Sequence, residues 1–113
     1  MLIAGGCGLA PLRSLIQYCQ DRTTEFAAVH IFYGARSPVD LMFRDELPGW
    51  QISDRFSCRY TVDQLPATSC YAGDTGLITK LLTDLQIDAD NCCAVVVGPP
   101  PMYRPVINEL RRL

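Results

Sequence analysis

The sequence predicts a doubly wound parallel sheet in a three-layer α/β/α arrangement, and three observations carry that expectation. Short apolar runs alternate four times with stretches of helical periodicity. The runs are nearly continuous, as in strands buried on both faces, rather than alternating. Turns rich in glycine or proline fall where those runs end, at residues 5–11, 34–38 and 98–101. A chain of 113 residues that is 49 % hydrophobic and 19 % charged suits one domain with a real core and excludes a disordered one.

Leu2-Ile3-Ala4 is the first strand, ending at Gly5-Gly6-Cys7-Gly8. Pro11 suits the first turn of the following helix, where its missing N–H needs no partner. Leu12, Leu15, Ile16 and Cys19 then recur at helical spacing, with Arg13, Gln17 and Gln20 opposite, and Asp21 to Glu25 is a polar connection. The second strand is Ala28–Tyr33, broken by Gly34-Ala35-Arg36-Ser37-Pro38. A helix is expected over Asp40–Leu47, with Leu41, Phe43 and Leu47 as its apolar side and Pro48-Gly49 as its stop. Phe56–Val62 is the third strand. A loop containing Pro66 and Gly73 leads to a helix over Leu77–Leu85, striped by Leu77, Ile78, Leu81, Leu82 and Leu85. Cys92–Val97 is the fourth strand, and Gly98-Pro99-Pro100-Pro101 turns the chain into a last helix carrying Val106, Ile107 and Leu110. Right-handed crossovers give the strand order 3-2-1-4. Ligands of such sheets bind beyond the carboxyl ends of the strands, at the switch point of the order.

Ten basic against twelve acidic residues give a formal charge of −2, which offers no general attraction to nucleic acid or an anionic membrane. No apolar run approaches the roughly 18 residues that span a bilayer. No export signal is visible, so the expected compartment is the cytoplasm. Six cysteines, at 7, 19, 58, 70, 92 and 93, show no C-x-x-C spacing. They suggest neither a metal site nor a redox pair, and are expected to be reduced and mostly buried. A chain that opens on a strand and closes on a helix suggests a piece of a longer protein.

Gly6-Cys7-Gly8-Leu9-Ala10-Pro11 joins a strand to a helix, where glycine backbone can approach a diphosphate and the helix N-terminus favours an anion. The G-x-G-x-x-G fingerprint is not met, because Pro11 takes the place of the third glycine, and a plain tight turn is an equal reading. If the turn holds a diphosphate, Gly8→Val should abolish nucleotide binding and leave the fold nearly intact. Gly98-Pro99-Pro100-Pro101-Met102 is a stiff apolar lip, suited to a flat ring or simply to a rigid connection. Arg36 can meet a phosphate or stay a solvated surface charge. Asp63, after the third strand, can accept from a ribose diol or merely form a turn. His30 lies within a strand, away from these turns. No catalytic set of side chains can be assembled, so the chain reads as a holder of a ligand.

Four segments together are similar to the ferredoxin–NADP reductase superfamily. They are Gly5–Ser14, Tyr33-Gly34-Ala35-Arg36, Leu41–Leu47 and Gly98–Met102, in the family's order and spacing. The likeness is nearest to the gamma subunit of hydrogenases and sulfhydrogenases. The electron-transfer subunits of anaerobic sulfite reductase and of dihydroorotate dehydrogenase are near relatives. The likeness implies that residues 1–113 are a nucleotide-binding domain for NAD(H) or NADP(H), taken from a longer reductase. An FAD-binding barrel would precede it, and a last strand and a [2Fe–2S] segment would follow Leu113. The implied partners are that flavin domain and hydrogenase or sulfur/sulfite reductase subunits. Alternatives are a non-catalytic nucleotide sensor or the reductase component of an oxygenase.

Residue by residue, the resemblance gives Gly6, Cys7, Gly8, Leu9, Ala10 and Pro11 to the diphosphate turn. It gives Tyr33, Gly34 and Arg36 to the adenosine side, Asp63 to the adenine ribose, and Gly98, Pro99, Pro100 and Met102 to the nicotinamide end. Cys7 stands where many members have threonine, and Val97 where many have cysteine. Asp63, and the lack of any Lys or Arg from Gln64 to Asp74, favour NAD(H) over NADP(H).

Overall fold

Apolar runs become strands here because each can bury both of its faces at once. The computed structural model describes residues Met1–Leu113. Strands β1 (Leu2–Gly5), β2 (Val29–Ala35), β3 (Phe56–Val62), β4 (Asp74–Thr75) and β5 (Val95–Val97) form one parallel sheet in the order β4-β3-β2-β1-β5. β1 runs in register with β2 from Leu2↔Ile31 to Gly5↔Gly34, and with β5 from Leu2↔Val95 to Ala4↔Val97. The expected order of the four long runs is therefore present as β3-β2-β1-β5. A two-residue fifth strand, too short to leave an apolar run, is added beside β3.

Alternate strand residues face opposite layers. Leu2, Ala4, Val29, Ile31, Tyr33, Ala35, Phe56, Cys58 and Val62 join Leu9, Leu12, Ile16 and Cys19 of helix α1 (Leu9–Asp21), together with Leu47 and Trp50. Ile3 and Phe32 pack on the other face against Ile78, Leu81, Leu82 and Val106, the last from helix α2 (Pro100–Leu110). Pro100 and Pro101 open α2, where they cost no hydrogen bond.

Two expected helices are absent as helices. Over Asp40–Leu47 the chain makes a 3-10 turn at Pro38–Asp40, irregular turns, and a second 3-10 turn at Leu47–Trp50. Phe43 has φ 53°, a left-handed conformation that interrupts any helix. The apolar residues are nonetheless real core members, since Leu41, Met42 and Phe43 cover the α1-side core as a loop. Over Leu77–Leu85 only a 3-10 stretch at Ile78–Leu82 forms. Its stripe still buries Ile78, Leu81 and Leu82, whereas Leu77 is 64 % exposed. Strand pairing at Cys92–Val97 begins only at Val95, beyond the exposed Cys92, Cys93 and Ala94.

The thiols also differ from expectation. Cys7, Cys70, Cys92 and Cys93 are exposed, and only Cys19 and Cys58 are buried. Loss of solvation pushes the Cys58 thiol up to about 12 and raises that of Cys19, so both stay protonated and unreactive. A disulfide reagent is therefore expected to count four thiols in the native chain and six in denaturant; six at once in the native chain would contradict this packing. His30 takes the structural role expected of it, with Nδ1 2.7 Å from Ser57 Oγ on the neighbouring strand. Burial lowers its pKa, which favours the neutral ring.

Candidate functional site

β1 is followed by a crossover that packs on one face and β5 by one that packs on the other, so a crevice opens above their carboxyl ends. A cleft of 550 Å³ lies there, within the range of small-molecule and cofactor sites. Four strand ends supply its base and sides. They contribute Gly5, Gly6 and Cys7 after β1, Gly34, Ala35 and Arg36 from β2 onward, Asp63 after β3, and Pro99 after β5. Pro101, Met102 and Pro105 of α2 form one wall, Leu77, Ile78 and Thr79 another, and Asp40 and Met42 a third.

Of the residues assigned from sequence, Gly6, Cys7, Gly34, Arg36, Asp63, Pro99 and Met102 share this cleft. Gly6 has φ 54°, which disfavours any side chain, yet a Cβ there would meet no atom within 4 Å. It is a glycine facing open space, the kind of cradle that a ligand's phosphates fit. Ala35 and Arg36 are tied to the end of β3: the Asp63 N–H donates to the Ala35 carbonyl at 2.9 Å, and the Gln64 N–H to the Arg36 carbonyl at 2.8 Å. This ladder holds the guanidinium and the carboxylate side by side. Partial burial raises the Asp63 pKa and the neighbouring Arg36 charge pulls it back.

Other assigned residues lie outside the cleft, each for a physical reason. A Cβ on Gly8 would overlap the Val97 carbonyl, with the carbon at 2.6 Å, so this glycine serves packing between the turn and β5. Gly8→Val therefore should not leave the fold intact, against the expectation from sequence. Leu9 is fully buried in the α1-side core. Its N–H, counted from sequence among the free donors of a helix start, is already given to the Gly6 and Cys7 carbonyls. Ala10 and Pro11 are exposed on the first turn of α1. Gly98 lets β5 approach β1, since its Cβ would lie 3.3 Å from Gly5 Cα and 2.5 Å from Met102 Cε. Pro100 is exposed at the start of α2. Tyr33 is fully buried beneath the segment that carries Asp40 and Met42.

Sequence reasoning missed Gly5, Ala35, Asp40, Met42, Leu77, Ile78, Thr79, Pro101 and Pro105 as lining residues. Gly5, Ala35 and Pro101 were signalled by lying inside quoted turn motifs. Pro105 sits four residues after Pro101, and its missing N–H leaves the Pro101 carbonyl without a helical partner. The cleft combines one cation, two carboxylates, a glycine turn and an apolar lip, which suits a ligand with phosphates, a sugar and a flat ring. No three His, Cys, Asp or Glu side chains converge as metal ligands do. No helix is long and apolar enough to cross a membrane.

Known proteins agree with this architecture. The chain is 34 % identical, over 97 % of its length and 41 % of the relative's, to the sulfhydrogenase 2 gamma subunit of Pyrococcus furiosus. It is 33 % identical to NADH-cytochrome b5 reductase 2 of Scheffersomyces stipitis, over 93 % of the chain and 36 % of the relative. Among solved structures, the cytochrome b5 reductase domain of Ulva prolifera nitrate reductase superposes with TM-score 0.71 at 26 % identity, covering 98 % of this chain and 44 % of that one. The chain thus spans less than half the length of these relatives. Residues 2–107 match the family model described as the oxidoreductase NAD-binding domain, so the chain belongs to that ferredoxin reductase-like family.

Proposed function

We propose that the chain is the NAD(P)H-binding domain of a longer flavin-dependent oxidoreductase subunit. In this reading an FAD-binding domain lies in the rest of the subunit, together with a [2Fe–2S] segment. Electrons then pass between the nicotinamide, the flavin, the cluster and a partner hydrogenase or sulfur/sulfite reductase. The observation that carries the reading is the cleft itself, where Gly6, the Arg36–Asp63 pair and the Pro99/Met102 lip converge at the switch point. A relative whose name joins a gamma subunit to sulfhydrogenase supports the multi-subunit part. Six free cysteines support a reducing, cytoplasmic setting. A strand following Leu113 would pair with β5, whose outer edge has no neighbour in this sheet.

The residues present fit a nicotinamide nucleotide. Gly6 gives its diphosphate room, Arg36 offers it or the adenosine end a positive charge, and Asp63 accepts from a ribose hydroxyl. Pro99 and Met102 hold the flat ring between rigid apolar surfaces and exclude water from one side of it. Such a cofactor, when bound, supplies hydride transfer, and the protein's contribution is orientation. Calorimetric titration of the 113-residue chain tests the proposal. One NADH is expected to bind per chain, with no flavin co-purifying. A chain that binds neither NADH nor NADPH, or that carries stoichiometric flavin, would overturn it.

A further inference from the structure

The third wall of the cleft has no regular secondary structure to hold it. Asp40 and Met42 lie in the stretch from Arg36 to Leu47, which contains a single 3-10 turn and then irregular turns. Its Phe43 sits at φ 53°, a conformation that costs a non-glycine residue energy and persists only where the surroundings enforce it. The enforcing contacts come from two sides. Outside, Arg13 of α1 grips Glu46 through both carboxylate oxygens, with Nε 2.9 Å from Oε2 and Nη2 2.5 Å from Oε1, and lies 5.1 Å over the Phe43 ring. Inside, the segment rests on one residue of the central strand.

That residue is Tyr33. Its side chain is fully buried in the core between Ile31 and Ala35 of the same face. A phenylalanine would fill the same space, so packing alone does not call for a hydroxyl. The hydroxyl oxygen accepts the Met42 N–H at 3.0 Å and donates to the Asp40 carbonyl at 3.4 Å. Burial raises the phenol's pKa, so the group keeps the proton it donates. One buried hydroxyl therefore satisfies a backbone group on each of the two residues that face the cleft. The Asp40 side chain is held in turn by the Ser37 hydroxyl, which donates to Oδ2 at 2.7 Å.

Resting on the reading of the cleft as a nucleotide site, we propose that Tyr33 is a positioning residue: its hydroxyl fixes the Asp40–Met42 wall at the distance that the bound nucleotide requires. The side chain does not touch the ligand. It acts through the loop, by removing the alternative in which the Met42 N–H turns to solvent and the wall swings outward. The glycine after it, Gly34, faces the cleft from the same strand, so one short stretch of β2 supplies both floor and anchor.

The test is Tyr33→Phe, compared with Tyr18→Phe on the exposed side of α1. Amide exchange and NADH titration are measured on both and on the wild type. In the wild type the Met42 amide should be protected, and Tyr33→Phe should exchange it about tenfold faster while weakening NADH about fivefold. Tyr18→Phe should change neither. An unprotected Met42 amide in the wild type would overturn the tether without any variant, so a misfolded Tyr33→Phe does not shield the proposal. Unchanged exchange in a folded Tyr33→Phe, or faster exchange with unchanged NADH affinity, would overturn it too. A wild type with a protected Met42 amide that binds no NADH overturns the reading of the cleft, and with it the ligand half of this proposal. The tether then stands or falls on exchange alone.

Discussion

Gly8→Ala is expected to destabilise the fold by about 3 kcal/mol, the upper end of the cost of forcing extra volume into a packed site. The added methyl has nowhere to go. Its carbon would sit 2.6 Å from the Val97 carbonyl carbon and 3.1 Å from Gly98 N, and closer still to the Val97 oxygen. These are backbone atoms of β5 and its exit, so no side chain can rotate away. Relief requires β5 to shift from β1 or the 6–8 turn to lift from the sheet. Gly6→Ala makes the contrast. There the space is open and only the left-handed φ of 54° is penalised, at about 1 kcal/mol. That variant should fold and bind nucleotide more weakly, because the methyl enters the cleft. Urea midpoints at constant slope check the stabilities, and NADH titration checks the binding. Equal losses of stability in the two variants would contradict the division of labour between the two glycines.

That division marks where the sequence stops being legible. A glycine turn after a strand is readable from Gly5 to Gly8, because only backbone freedom explains such a cluster. Which glycine faces a ligand and which faces a neighbouring strand is not, because the answer depends on β5, nearly ninety residues away. The four long strands are readable because burial on both faces demands unbroken apolar runs. The expected helices at Asp40–Leu47 and Leu77–Leu85 fail for one shared reason. Apolar spacing reports which residues are buried and does not report how the backbone bonds to itself. Leu47, Ile78, Leu81 and Leu82 all reach the core, as their spacing implies, but from turns. The wall residues Asp40, Met42 and Thr79 reach the cleft through those same turns, so no local pattern could have announced them. The place of Tyr33 in a motif suggests ligand contact, and burial moves it one layer below.

Replacing Asp63 with Ser is expected to shift the nucleotide preference toward NADP(H) by about tenfold, which corresponds to roughly 1.4 kcal/mol. NADP differs from NAD by a phosphate on the adenine ribose, where NAD keeps a hydroxyl. The main-chain ladder between the ends of β2 and β3 sets Asp63 beside Arg36 at one edge of the cleft. In the wild type the carboxylate accepts from a diol and repels a phosphate, and it also engages the field of the one cation near it. Serine removes the repulsion and frees the guanidinium, whose planar fork suits a phosphate. The expected gain is modest because Asp63 is exposed, so water and salt screen the repulsion, and because no Lys or Arg from Gln64 to Asp74 supplies a second cation. Dissociation constants for NADH and NADPH at one ionic strength decide the matter. The wild type should prefer NADH, Asp63→Ser should narrow or reverse the ratio, and adding Arg36→Ala should weaken NADPH more than NADH. A wild type that already prefers NADPH, or a ratio that Asp63→Ser leaves unchanged, would remove Asp63 from the ribose end of the cleft.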